Sequence, residues 1–161
     1  MWERFGEFNT AEEINELAVN LRKEGDRESL KVLARENGLD ADIAEAFMDG
    51  DILFVCDTMS AAIGKVEIEA AELKPKEIME DWVEYLKTKC FEDPKVAAAV
   101  RKKGKSLKGC IGYLLAWSYG NQNQIPKGIM EAAGMKGVRV TLGIPGMGRA
   151  KKLIAEYYLG R

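Results

Sequence analysis

Apolar residues recur every three or four positions along nearly the whole chain, the spacing of helices that bury one face. The first run opens with a capping box, in which Thr10 accepts from an early backbone N–H and Glu13 reaches back. Ile14, Leu17, Ala18 and Leu21 follow at helical spacing, and Gly25 closes the helix. Asp26 caps a second helix carrying Leu30, Leu33 and Ala34, which Asn37-Gly38 ends. Asp40 starts a short third helix with Ile43, Ala44, Phe47 and Met48. Ile52, Val55, Met59, Ile63, Val66, Ala70 and Leu73 then predict a helix of about five turns. Lys74-Pro75 interrupts it. Pro75 suits the first turn of a following helix that aligns Ile78, Trp82 and Leu86, with Met79, Val83 and Cys90 beside them.

Asp93-Pro94 repeats the start signal, and Val96, Ala97 and Val100 face inward until Gly104. Ser106 caps a helix holding Leu107, Cys110, Ile111, Leu114, Leu115 and Trp117. It is apolar almost all round, which predicts a place at the centre of the core. Gly109, Gly112 and Ala116 would let a neighbouring helix approach closely. A loop over Gly120 to Gln124 leads to a short helix from Pro126 to Ala133. From Gly137 the period changes: Val138, Val140, Leu142 and Ile144 alternate with Arg139, Thr141 and Gly143, as in a strand. That segment is merely extended, pairs with a short partner elsewhere in the chain, or adds to another chain. A last helix, from about Met147 to Leu159, carries Ala150, Leu153, Ile154, Tyr157 and Tyr158.

These elements predict an all-α fold, a compact bundle of about seven or eight helices with a short extended segment near residues 138–144. Residues 1–50 read as a small acidic helical cap and residues 51–161 as the main helical domain, unless the two are one continuous domain.

Composition narrows the chemistry. A chain of 161 residues with 47% hydrophobic and 31% charged residues has the balance of a globular domain. No apolar run approaches the roughly 18 residues of a membrane span. The acidic start, MWERFGEFNTAEE, is unlike a signal peptide, so the expected location is the cytoplasm. Cys56, Cys90 and Cys110 are widely spaced on apparent apolar helical faces and read as buried small hydrophobes. The absence of histidine removes the commonest general base and zinc ligand. No catalytic residue, cofactor or metal is assigned, and the chain reads as a non-enzyme.

Charge adds the most. Residues 1–93 carry 24 acidic against 11 basic side chains, a balance of −13, and residues 94–161 carry 2 against 13, a balance of +11. Either the halves neutralise each other, within the fold or across a homo-oligomer, or one of them meets a partner. In the second case the basic half meets DNA or RNA, or the acidic half occupies a basic groove.

Three local strings bear on that choice. Residues 33–47 have the outline of a helix-turn-helix, but the second helix carries Asp40, Asp42, Glu45 and Asp49 and would be repelled by phosphate, so a plain helical hairpin is the better reading. Those four residues, with Glu80, Asp81 and Glu84, form the candidate acidic face for a protein partner. Pairs such as Glu67 with Glu69 read as a solvated face. Arg101, Lys102, Lys103, Lys105 and Lys108 straddle a turn and a helix start, where they would hold phosphate or simply be solvated. In GIPGMGRAKK, residues 143–152, glycines precede a helix start with Arg149, Lys151 and Lys152, a second candidate for phosphate contact. It lacks the Gly-Lys-Ser/Thr of a P-loop and follows no βαβ unit.

From Trp82 onward the order of features is also informative. WVEYLKTKCFED is followed by DPKVAAAVRKKGKSLKGCIGYLLAWSYG and a short helix. The string KSLKGCIGYLL, residues 105–115, resembles the core of the PcfK-like proteins of conjugative elements and phages. The resemblance covers roughly residues 82–118. Some members of that family are anti-CRISPR inhibitors of Cas9, so it implies a protein of a bacterial host cell that binds Cas9 or its guide RNA complex. The alternatives are a nucleic-acid-binding accessory protein of a conjugative element and a helical oligomerisation module.

Overall fold

The computed structural model describes residues 1–161 and contains nine helices. They are α1 (Ala11–Glu24), α2 (Arg27–Glu36), α3 (Ala41–Asp49), α4 (Thr58–Leu73), α5 (Ile78–Glu92), α6 (Pro94–Arg101), α7 (Leu107–Gly120), α8 (Lys127–Ala132) and α9 (Met147–Leu159). Two-residue strands β1 (Asn123–Gln124) and β2 (Thr141–Leu142) form the only sheet. The fold is all-α, and the helix count exceeds the expected seven or eight. No helix is long and apolar enough to cross a membrane.

The apolar stripes pack into two cores. One joins α1, α2 and α3 around Ile14, Leu30, Leu33 and Phe47, and the connector residues Val55 and Cys56 complete it. The other joins α4, α5, α6, α7 and α9 around Val66, Leu86, Val100, Leu114 and Ile154. Helix α4 serves both: Ala61 belongs to the first core, while Ala62 and Val66 belong to the second. Where α4 crosses the end of α2, backbone meets backbone. A Cβ on Gly64 would lie 2.2 Å from the carbonyl oxygen of Asn37, and one on Gly38 would lie 2.3 Å from that of Gly64. Asn37 is fully buried there and its amide donates to Leu33 O.

Several elements depart from their sequence pattern. The helix expected from Ile52 begins at Thr58, behind a capping box of Asp57 and Ser60. Val55 and Cys56 cannot join it because Asn15 takes their backbone groups. Asn15 Oδ1 accepts from the N–H groups of Val55 (2.9 Å) and Cys56 (3.3 Å), and Asn15 Nδ2 donates to Cys56 O (2.8 Å). Cys56 is therefore buried in a connector rather than on a helix. Pro75 also lies in a connector, with α5 starting at Ile78 after Lys74 and Glu77 take positive φ.

Helix α7 is not central. Leu107, Cys110, Leu114 and Ser118 are buried, but Leu115 is 66% and Tyr119 84% exposed, because α4 and α9 cover one side only. Hydrophobicity all round the helix is thus an exposed face. The alternating segment pairs only briefly. Asn123 faces Leu142 and Gln124 faces Thr141 in antiparallel register, while Val138, Leu142 and Ile144 stay exposed.

Gly64→Ala is expected to destabilise the protein by about 3 kcal/mol, since the added methyl must push apart two backbones rather than a side chain. Urea unfolding followed by helical circular dichroism measures this, and an unchanged midpoint would show the two helices able to separate.

Candidate nucleic-acid interface

The turn between α6 and α7 is positioned from inside. Lys65, on α4, has no exposed surface. Its ammonium donates to Glu7 Oε1 (2.6 Å) and to the carbonyls of Lys102 (3.1 Å) and Lys105 (2.6 Å). The N-terminal segment closes over the same turn. Asn9 Oδ1 accepts from Lys103 N, and Glu7 Oε2 accepts from Gly104 N. Glu36, buried at the end of α2, anchors that segment by accepting from the N–H groups of Glu3, Arg4 and Phe5.

Arg101 does not belong to the candidate basic surface. It is 1% exposed, and its Nη2 donates to Phe8 O (2.9 Å), so the guanidinium holds the N-terminal segment and never reaches solvent. Glu69 is corrected too. It is buried rather than solvated, and its Oε2 accepts from Leu107 N (2.6 Å) at the first turn of α7. Burial pushes its carboxyl above the ordinary 4.5, outweighing the Leu107 bond and the charge of Lys65.

The remaining predicted cations do face outward. Lys102, Lys103 and Lys108 are exposed around the turn. Lys105 is half-buried, donating to Tyr157 O (2.6 Å) with its ammonium 4.6 Å from the Tyr157 ring. Helices α7 and α9 run antiparallel: Gly109 lies against the Tyr157 hydroxyl, Tyr113 donates to Glu156 (3.1 Å), and Arg149 sits 5.6 Å from the Trp117 ring. Lys152 is exposed on α9, and Lys151 turns toward the Tyr85 ring of α5. The glycine-rich string is pinned to α7, because a Cβ on Gly143 would lie 2.3 Å from Ser118 O. The structure thus joins the two basic strings, which the sequence left separate, at opposite ends of one helix pair.

Ion pairing separates the halves. Every salt bridge lies within residues 1–93 or within residues 94–161, and the second half has only Lys127 with Glu131. The halves therefore do not neutralise each other through direct pairs within the fold. Lys102, Lys103, Lys105, Lys108, Arg149, Lys151 and Lys152 have no carboxylate partner.

The acidic candidates are divided. Asp40, Asp42, Glu45 and Asp49 belong to α3, and Glu80, Asp81 and Glu84 to α5, in different cores. Arg27 pairs with both Glu45 and Asp49, Lys31 with Glu45, and Lys87 with Glu84. Asp40 is spent capping Asp42 N. Asp42, Glu80 and Asp81 remain exposed without a cation.

Sequence reasoning missed two features. Lys65 and Glu69 stand at i and i+4 among Ala62, Val66 and Ala70, a position on the apolar stripe that signals burial. Leu53 and Phe54 are 80% and 67% exposed on the Asn15-clamped connector, and no local signal distinguished them from helix. The three cysteines are buried, and burial pushes each thiol up to about 12, out of nucleophilic range. No group of three or more acidic or thiol side chains is placed to hold a metal ion. No protein-family model, curated protein or solved structure matched the chain.

Two outcomes test the internal scaffold. Lys65→Met leaves Glu7 and two carbonyls without their donor and should destabilise the fold by about 3 kcal/mol, with faster amide exchange at residues 102–106. Glu69 acts with the opposite sign. Its folded carboxyl binds a proton more tightly than the unfolded one, so its contribution to stability falls as pH rises from about 4.5 through the higher folded value. Glu69→Gln should therefore raise the urea midpoint at pH 7 and lose that advantage at pH 4. Equal midpoints at both values would refute it.

Proposed function

We propose that this chain is a non-enzymatic protein of a phage or other mobile element that binds and inhibits a Cas9–guide RNA nucleoprotein in the bacterial cytoplasm. The observation that carries it is the set of cations on α7, α9 and the turn before α7, which form no salt bridge to a carboxylate and stand beside exposed aromatic rings. Unpaired cations on a fixed frame attract phosphate, and a nucleoprotein offers phosphate along its guide and strand channels. The resemblance of residues 105–115 to the PcfK-like core supplies the identity of the partner. Glu80 and Asp81, adjacent and exposed at the start of α5, are a second contact, suited to the basic protein grooves that bind those strands.

A cleft of 320 Å³ between the N-terminal segment, α4 and the start of α7 is lined by Glu7, Glu69, Glu72, Lys105, Ser106 and Lys108. Four of them have structural partners: Glu7 holds Lys65, Glu69 holds Leu107 N, Lys105 holds Tyr157 O, and Ser106 caps Gly109 N. Glu72 and Lys108 are exposed at its rim.

The same face favours a second reading, an accessory nucleic-acid-binding protein of a conjugative element. One experiment separates the two. The protein is added to Cas9–guide RNA of several orthologues before target DNA, and cleavage is followed with wild type and with a Lys108→Glu, Arg149→Glu, Lys152→Glu triple variant. Inhibition by wild type, lost in the variant, is expected. Full cleavage at large molar excess would remove the inhibitor reading, and salt-sensitive binding to naked strands would then leave the accessory one.

A further inference from the structure

We propose that the exposed face of α7, bordered by α9, is a stacking platform for single-stranded RNA or DNA. This rests on the reading of the basic face as the binding surface and names what it holds.

Tyr119 is 84% exposed, and Tyr113, whose ring lies 6.1 Å from that of Tyr157, still leaves 42% of its surface open. At 3.6 residues per turn, Ala116 stands between the two tyrosines, about one turn from each, and its small side chain is exposed. Beside Tyr113 the face is open as well, since no atom outside the immediate backbone lies within 4 Å of where a Gly112 Cβ would be. The face runs from Lys108 to Tyr119, a track of about 16 Å at the helical rise. Cations mark its borders: Lys108 at one end, and Arg149 and Lys152 along the α9 side. Arg149 already lies over Trp117, as guanidinium groups lie over rings at stacking surfaces. The one carboxylate on this border, Glu156, is engaged by the Tyr113 hydroxyl.

Exposed rings bordered by cations without carboxylate partners fit a strand whose bases are unpaired. Bases stack on the rings, tolerant of sequence because every base has a π-face, while phosphates lie on the cations. A duplex offers the same phosphates but keeps its base faces covered. A protein partner would use the apolar rings and leave the three cations facing nothing in particular. Charge and aromatic chemistry together favour the strand, which in a Cas9 nucleoprotein is guide RNA or displaced DNA.

The test uses the full chain and fluorescein-labelled 15-nucleotide oligo-U, oligo-dT and a mixed-sequence duplex, with anisotropy read at 50 and 200 mM salt. Either single strand should bind at least fivefold tighter than the duplex. Ala116→Gln fills the space between the rings from an exposed position, and Tyr119→Ala removes the most exposed ring. Each should weaken strand binding by roughly fivefold or more at constant salt slope, matching the loss of one stacked base. Lys152→Gln should instead reduce the salt slope by about 0.7. Unfolding midpoints of the Ala116→Gln and Tyr119→Ala variants close to wild type keep misfolding out of the comparison. Equal affinity for duplex, no binding at 50 mM salt, or full binding by both variants would overturn the proposal. Variants that lose strand binding yet still block Cas9 would leave the platform standing and remove its role in inhibition. Strand binding by a wild-type protein that never inhibits Cas9 would sustain the platform and remove the inhibitor reading.

Discussion

A lysine without exposed surface must find its acceptors inside the protein, and the arrangement around Lys65 follows from that need. Its ammonium draws together a carboxylate from the N-terminal segment and two carbonyls from the turn between α6 and α7. Those partners are far apart in sequence, so satisfying one buried charge fixes three parts of the chain. Arg101 adds a second buried cation that grips the same N-terminal segment through Phe8 O. Glu69, one turn along α4 from Lys65, meets the first N–H of α7. The helix that carries the candidate interface is thus set in place by polar groups on α4, while apolar packing holds only its inner side.

This placement explains why α7 can expose so much apolar surface. A helix held by buried charge at its start and by Leu107, Cys110 and Leu114 along one side needs no cover on the other. Its outer rings and the α9 cations are then free for a partner. The frame beneath them is rigid where it matters: Gly143 touches α7 backbone, and Gly109 admits the Tyr157 hydroxyl. A binding surface built on such a frame loses little conformational entropy when occupied.

The charge split acquires a physical meaning from the same geometry. Within the first half, Arg27, Lys31, Lys65 and Lys87 neutralise part of the acidic excess. Within the second half almost nothing opposes the cations. The chain thus carries a partly neutralised acidic half and an almost unopposed basic one.

What the sequence determined by itself was local. The capping residues Thr10, Asp26, Asp93 and Ser106, the glycine stops and the 3.6-residue stripes specify helices, because caps and stripes act within one or two turns. The charge asymmetry and the outward set Lys102, Lys103, Lys108, Arg149 and Lys152 were legible in the same way. Tertiary structure decided what depends on distant partners. It put Arg101 and Glu69 inside, because Phe8 and Leu107 arrive there from elsewhere in the chain. It kept Val55 and Cys56 out of a helix, because Asn15 takes their backbone groups. It turned α7 from an expected centre into a face, because hydrophobicity all round a helix shows that it is apolar and leaves open which side another helix will cover.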